Sequence, residues 1–226
     1  MKTHTGSFSG EAGARISYPP DWILRLTGYI KRHGFRRTLG HAASVMLRGM
    51  LKNGRILYYC DLRTHPGASL ADDLTVERKE LLEDISERDW NQIATVMNLK
   101  LARRNYAKRF SSGASMWLIR SQGKFVGYGW TLPGGTIEPH YYLLGKEDVH
   151  FFDFMIFPEW RGRHINSSLV NHILCQLAAE GKVRAYIETS EWNDSEIRSL
   201  RRTSFLRMGS ARKAVLLGRV FVLWGK

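Results

Sequence analysis

The sequence is poor in cysteine: of 226 residues only Cys60 and Cys175 carry a thiol, and neither belongs to a CxxC pair or a Cys/His cluster. That excludes a disulfide framework or a structural zinc site as the source of the fold. Long apolar runs are also missing. No window approaches the roughly 18 residues that a membrane span needs, and the opening MKTHTGSFSGEAGARISYPP lacks the apolar stretch of a signal peptide. A soluble, cytoplasmic protein is the expectation, under which the glycosylation patterns Asn166-Ser-Ser and Asn193-Asp-Ser mean nothing. There is no P-loop, no His-Glu-x-x-His zinc motif and no internal repeat, and no metal is expected. Gly127-Tyr-Gly129 lacks the third glycine and the following helix of a dinucleotide fingerprint.

Acidic residues are the last shortage: 21 Asp and Glu face 34 Lys and Arg, a formal charge of +13. Such a chain keeps acidic company, whether nucleotide phosphates, nucleic acid, an anionic membrane surface or an acidic substrate. The excess is concentrated in front, where residues 1–71 hold 11 basic and 3 acidic side chains. Residues 1–20 read as unfolded. Residues 21–71 read as a basic helical extension with helices over 22–33 and 39–51 and a short strand over 55–62. Trp22, Ile23, Leu26, Tyr29 and Ile30 recur at helical spacing with Arg25, Lys31 and Arg32 off that stripe. This suits a solvated extension packed on the main domain, and equally an element that binds nucleic acid or an anionic membrane.

From residue 72 to 226 the pattern is that of one α/β domain with a mixed sheet. A strand is expected over 74–82. Ser86, with Asp89 three residues on, opens a helix over 87–98, and a basic helix follows over 99–110. Strands over 116–120 and 125–132 flank the hairpin signal Gln122-Gly123. Tyr141 to Leu144 reads as a further short strand, and VHFFDFMIF over 149–157 as the next. The apolar stripe Leu169, Val170, Ile173, Leu174 and Leu177 marks a helix from about Asn166 to Glu180, ended by Gly181. A strand over 183–189, a helix over 194–205 and strands over 214–217 and 220–224 complete the order.

Between strand 149–157 and the helix lies PEWRGRHINSSLV, residues 158–170. A strand, a cationic turn and a helix N-terminus together form an anion site, because unpaired N–H groups and the positive end of the helix dipole meet there. The run Pro158-Glu159-Trp160-Arg161-Gly162-Arg163-His164-Ile165-Asn166, with Phe205-Leu-Arg-Met-Gly209 downstream, resembles the GNAT superfamily of acyl-CoA N-acyltransferases over residues 74–226. The resemblance implies a mixed, mostly antiparallel sheet flanked by helices, and a donor that is acetyl-CoA or another acyl-CoA. It implies that Arg161, Gly162, Arg163, His164, Ile165, Asn166 and Ser167 hold the pyrophosphate. It also implies that the strand before the turn splays so that pantetheine adds like a strand, and that Met155, Ile156 and Phe157 at its end, with Asn193, are further cofactor-binding residues. His164 and Asn166 replace the family's small residues. His164 either adds a donor to the cradle or blocks it, and Asn166 suits a helix N-cap.

Transfer to an amine needs a base and a proton source for the leaving thiolate. The family's usual tyrosine acid falls at Leu200, so that role is vacant or moved, with Ser199 as a weak substitute. Asp153 and Glu188 are the base candidates. His150 can titrate usefully, although a strand histidine is more often hydrogen-bonded and inert. Tyr128, Tyr141 and Tyr142 can line the pocket of a small-molecule or peptide amine. The competing reading is a non-catalytic module of the same fold whose basic surface binds nucleic acid or anionic lipid, with steep salt dependence.

Overall fold

The computed structural model describes residues 54–65, 67, 70–135, 141, 143–216 and 219–225. The expected unfolded segment 1–20, the helices over 22–33 and 39–51, and any nucleic-acid or membrane contact of that segment lie outside the described residues. Among the described residues, strands β1 (Gly54–Asp61), β2 (Leu74–Lys79), β3 (Ser115–Ser121), β4 (Lys124–Pro133), β5 (Asp148–Ile156), β6 (Arg184–Ser190), β7 (Leu206–Leu216) and β8 (Arg219–Gly225) form one sheet. Its spatial order is β2-β3-β4-β5-β6-β1-β7-β8, antiparallel throughout except for β5 beside β6.

Helices α1 (Glu87–Ala94) and α2 (Leu99–Ser111) cover one face, and α3 (Ile165–Ala179) and α4 (Asp194–Leu200) the other. α1 begins where the sequence signals it: the Ser86 hydroxyl accepts from the Asp89 amide at 3.2 Å. α3 buries Leu169, Ile173, Leu174 and Leu177 completely. Each such side chain contributes about 1.5–3 kcal/mol of burial free energy, so this helix is fixed to the sheet by its apolar stripe. The β3–β4 hairpin turns through Gln122 (φ 48) and Gly123 (φ 74), the two positive angles that a tight primed turn requires. No helix among the described residues is long and apolar enough to cross a membrane.

Three expectations need correction. Tyr141 to Leu144 forms no strand where it is described. The helix over 194–205 stops at Leu200, after which Thr203 and its neighbours turn the chain into β7, which begins at Leu206 rather than 214. The boundary at residue 72 also fails, because β1 lies in the interior of the sheet. It pairs with β6 from Arg55↔Ser190 to Asp61↔Arg184 and with β7 from Gly54↔Arg212 to Tyr59↔Leu206. Ile56, Tyr58 and Cys60 join the core under α3. A chain beginning at residue 72 would leave both ladders of β6 and β7 open with their buried faces exposed, and no short loop can restore them. We expect it to lose cooperative urea unfolding; a transition with the full-length midpoint would show β1 to be dispensable.

Candidate functional site

β5 and β6 pair only from Asp148↔Arg184 to Phe151↔Ile187. Beyond that point β5 is held by β4 as far as Ile156, and β6 by β1 as far as Ser190. Each strand follows its outer partner, so the two diverge. The parting is helped by a bulge in β5: the register against β4 shifts between Tyr128 and Trp130, and Asp153 takes φ 52. Gly129 is required there, because a Cβ would stand 2.2 Å from the Phe154 ring. Gly-x-Gly in β4 therefore serves close packing against the bulge.

A cleft of about 530 Å³ lies at the mouth of this wedge, between the end of β5, the start of α3 and α4. Of the residues expected to bind the cofactor, it brings together Met155, Ile156, Arg161, Gly162, His164, Ile165, Asn166, Ser167 and Asn193, and Ser199 lines it as well. Two lie elsewhere. Phe157 is fully buried beneath α1 and α2, and its amide is spent on the Val126 carbonyl at 3.0 Å, so it cannot face a ligand. Arg163 lies over the Trp160 ring at 4.8 Å, outside the cleft lining.

The turn is built for close approach. Gly162 has φ 81 and open space where a Cβ would sit. Arg161 ties the turn to the strand, its Nε donating to the Ile156 carbonyl at 3.0 Å. The helix cap is His164, in the left-handed region at φ 60, and not Asn166, which lies inside the first turn. Ser168 is the first amide to bond back, to the His164 carbonyl at 3.1 Å. The amides of Ile165, Asn166 and Ser167 ahead of it are the free donors of a helix start. The His164 ring meets Arg202, whose Nη1 donates to Nε2 at 3.2 Å.

The lining is cationic, with Arg161, Arg198 and Arg202, and contains one acid, Glu196. Burial pushes the Glu196 carboxyl above the ordinary value of 4.5, against a hydrogen bond from Asn166 that lowers it. Asn193 caps α4, its Oδ1 accepting from the Glu196 amide at 3.3 Å. Asn166 reaches across from α3 and donates to Ser199 Oγ at 2.9 Å. Leu200 is fully buried in the core and offers the cleft nothing.

At the apex of the wedge, on the α1/α2 side of the sheet, His150 Nε2 stands 2.9 Å from Glu188 Oε2. His150 is 4% exposed and its ring stacks on Phe152 at 5.4 Å. A strand histidine expected to be inert is thus coupled to one of the two base candidates. Asp153, the other, is taken by Arg109, whose Nη1 donates to Oδ2 at 2.5 Å while its guanidinium lies over Trp130, Phe152 and Tyr106 at 4.9, 5.2 and 5.5 Å. That carboxylate oxygen is engaged by a guanidinium and is not open to an attacking amine. Asp153→Asn is therefore expected to cost up to about 1 kcal/mol of stability, readable in urea unfolding, with turnover retained; a large fall in turnover would restore it as the base. Tyr128 is fully buried, and its hydroxyl is pushed far up by desolvation. Tyr141 lies under the Lys213 ammonium at 4.4 Å. Tyr142 lies outside the described residues, and among those described no cluster could hold a metal ion.

The model of the acetyltransferase (GNAT) family matches residues 78–205, more than half of the chain, and the protein belongs to that family. No curated protein sequence matches. Among solved structures, the fold is similar to an acetyltransferase from the GNAT family of Colwellia psychrerythraea, with a TM-score of 0.51, 11% identity, and coverage of 76% of this chain and 56% of that one. A GCN5-related N-acetyltransferase from Sphaerobacter thermophilus gives 0.49 at 13% identity, covering 75% and 54%. One from Kribbella flavida gives 0.46 at 14%, covering 70% and 55%. The chain thus spans little more than half the length of these proteins.

Proposed function

We propose that the protein is an N-acyltransferase that moves an acetyl or other acyl group from acyl-CoA directly to an amine. One observation carries this reading: the wedge between β5 and β6 opens onto a turn whose free amides face the same cleft as Arg161, Arg198 and Arg202. The residues present fit the donor. A diphosphate is a dense charge that oriented amides and guanidinium groups satisfy well, and Gly162 leaves the space for it. When bound, the donor supplies an activated thioester.

The rest is the work of this chain. Phe154, Met155 and Ile156 line the wedge on the β5 side, where the strand edge facing β6 is released and its peptide groups can pair with an amide-bearing arm. The cleft lining contains no cysteine to carry an acyl group, which favours transfer within a ternary complex over an acyl-enzyme. An acceptor approaching from the α1/α2 side meets the His150–Glu188 pair, which takes the proton of the attacking amine. Calorimetry with acetyl-CoA tests the reading: micromolar binding is expected. No binding, with salt-sensitive binding to polyanions instead, would replace it with the non-catalytic module.

A further inference from the structure

The apolar cluster beneath α1 and α2 draws its sheet residues from β3, β4 and β5, and none from β1, β6 or β7. The same face of those three strands is nonetheless shielded. Ile56, Tyr58 and Cys60 face α3, so Leu57 and Tyr59 alternate to the opposite side of the sheet. There Leu57 stands between Glu188 and Gly209, and Arg55 between Ser190 and Ala211, with Trp224 next in line. Leu57 is 0% exposed and Ala211 1%, yet neither belongs to the cluster beneath α3 or to the one beneath α1 and α2. A shielded apolar face needs a cover, and neither helix layer of the described residues accounts for it.

We propose that the cover is the front of the same chain, residues 22–33, laid with Trp22, Ile23, Leu26, Tyr29 and Ile30 against Leu57 and Ala211. Position favours this occupant. Residues 1–53 lead directly into β1, whose first residue, Gly54, pairs with Arg212 and accepts from the Glu191 amide at 3.3 Å, at the rim of this face. The dimensions match: as a helix the segment reaches about 18 Å, and the four strands from β6 to β8 span about 15 Å. The chemistry matches as well. The stripe is aliphatic and aromatic throughout, and Arg25, Lys31 and Arg32 fall off it, so docking strands no charge beneath the segment. The rival cover is the β4–β5 loop, whose Tyr141 reaches the Lys213 ammonium of β7 at 4.4 Å.

Glu188 lies across the ladder from Leu57, so a segment docked there also walls one side of the approach to the His150–Glu188 pair. On the acyl-transfer reading, this narrows the space open to the acceptor. The docking itself does not depend on that reading, and its tests do not read activity.

Hydrogen exchange on the full chain is the first test. Amides over 22–33 are expected to exchange at least about 100-fold more slowly than in a free peptide of the same sequence, because they open only with the face they cover. Exchange at the peptide rate would make the front a solvated tail and overturn the proposal. The second test puts charge on the stripe. Ile23→Asp with Leu26→Asp is expected to speed exchange of the β1 and β7 amides about tenfold or more and to raise binding of an apolar dye. Arg25→Asp, off the stripe, should leave both within about twofold of wild type. An equal effect of Arg25→Asp would overturn the assignment, and unchanged β1 and β7 protection in the stripe variant would give the face to the β4–β5 loop. Sedimentation velocity separates the last occupant: a wild-type monomer is expected, and a dimer that the stripe variant dissociates would give the face to a second copy. The wild-type exchange pattern needs no variant and decides the matter if the stripe variant fails to fold.

Discussion

Gly162→Asp is expected to weaken acetyl-CoA binding about 100-fold while leaving the fold intact. Two costs arise, one to the fold and one to binding. At φ 81 any side chain strains the backbone, by about 1–2 kcal/mol for an L-residue in the left-handed region. The new carboxylate would also stand beside the diphosphate site. At an effective dielectric near 20, two like charges 6–8 Å apart repel by about 2–3 kcal/mol, and part of this is screened by salt. The repulsion alone, about 2–3 kcal/mol, is on the order of a 100-fold change in the dissociation constant. The open space around Gly162 means that the substitution clashes with nothing, so circular dichroism should stay native, while the strained backbone lowers the urea-unfolding free energy by about 1–2 kcal/mol. Arg161→Ala provides the companion measurement. It removes a cation and also the tie from Nε to the Ile156 carbonyl, so it loosens the turn as well as discharging it. Unchanged donor affinity in both variants would move the nucleotide out of this cleft.

The turn was readable because its ingredients are local. A strand of β-branched and aromatic residues, a proline stop, a glycine and an apolar helical stripe lie within 30 consecutive residues and fix both elements and the loop between them. The Gln122-Gly123 hairpin was legible for the same reason. Sequence separation hides the rest. β1 enters the sheet through pairings with strands more than a hundred residues away, and nothing in GRILYYCD says that β6 and β7 will part to admit it. Residue preference misleads at the helix cap: asparagine is the better cap by type, yet the chain places His164 there, in a left-handed conformation that is uncommon for any residue but glycine. The bulge at Asp153 shifts which side chains face which layer, and a strict two-residue alternation along β5 cannot anticipate that. Glu196 was the most accessible omission. It lies three residues after Asn193 and three before Ser199, so helical spacing alone puts it on the face that lines the cleft.

Glu188→Gln should reduce kcat by about 10²–10⁴-fold with little change in donor affinity, the signature of an interaction needed in the transition state and not in binding. The substitution keeps a hydrogen-bond partner for His150 Nε2 and nearly the same volume, but removes the negative charge that would receive or stabilise the amine proton. Glu188 is suited to the task by its placement. Its side chain is 22% exposed, where an acceptor can reach it, while His150 behind it is 5% exposed and fixed by stacking on Phe152. Two groups acting as one unit are expected to show non-additive losses, so the double variant with His150→Gln should be little worse than the poorer single one. A purely structural pair behaves differently. Losing it would lower the unfolding free energy and change kcat and KM together in proportion to the protein unfolded, and either single variant would regain its rate under conditions that refold it. Retained stability with a lost kcat therefore separates chemistry from scaffolding at the apex of the wedge, the point where β5 and β6 part and the two faces of the sheet communicate.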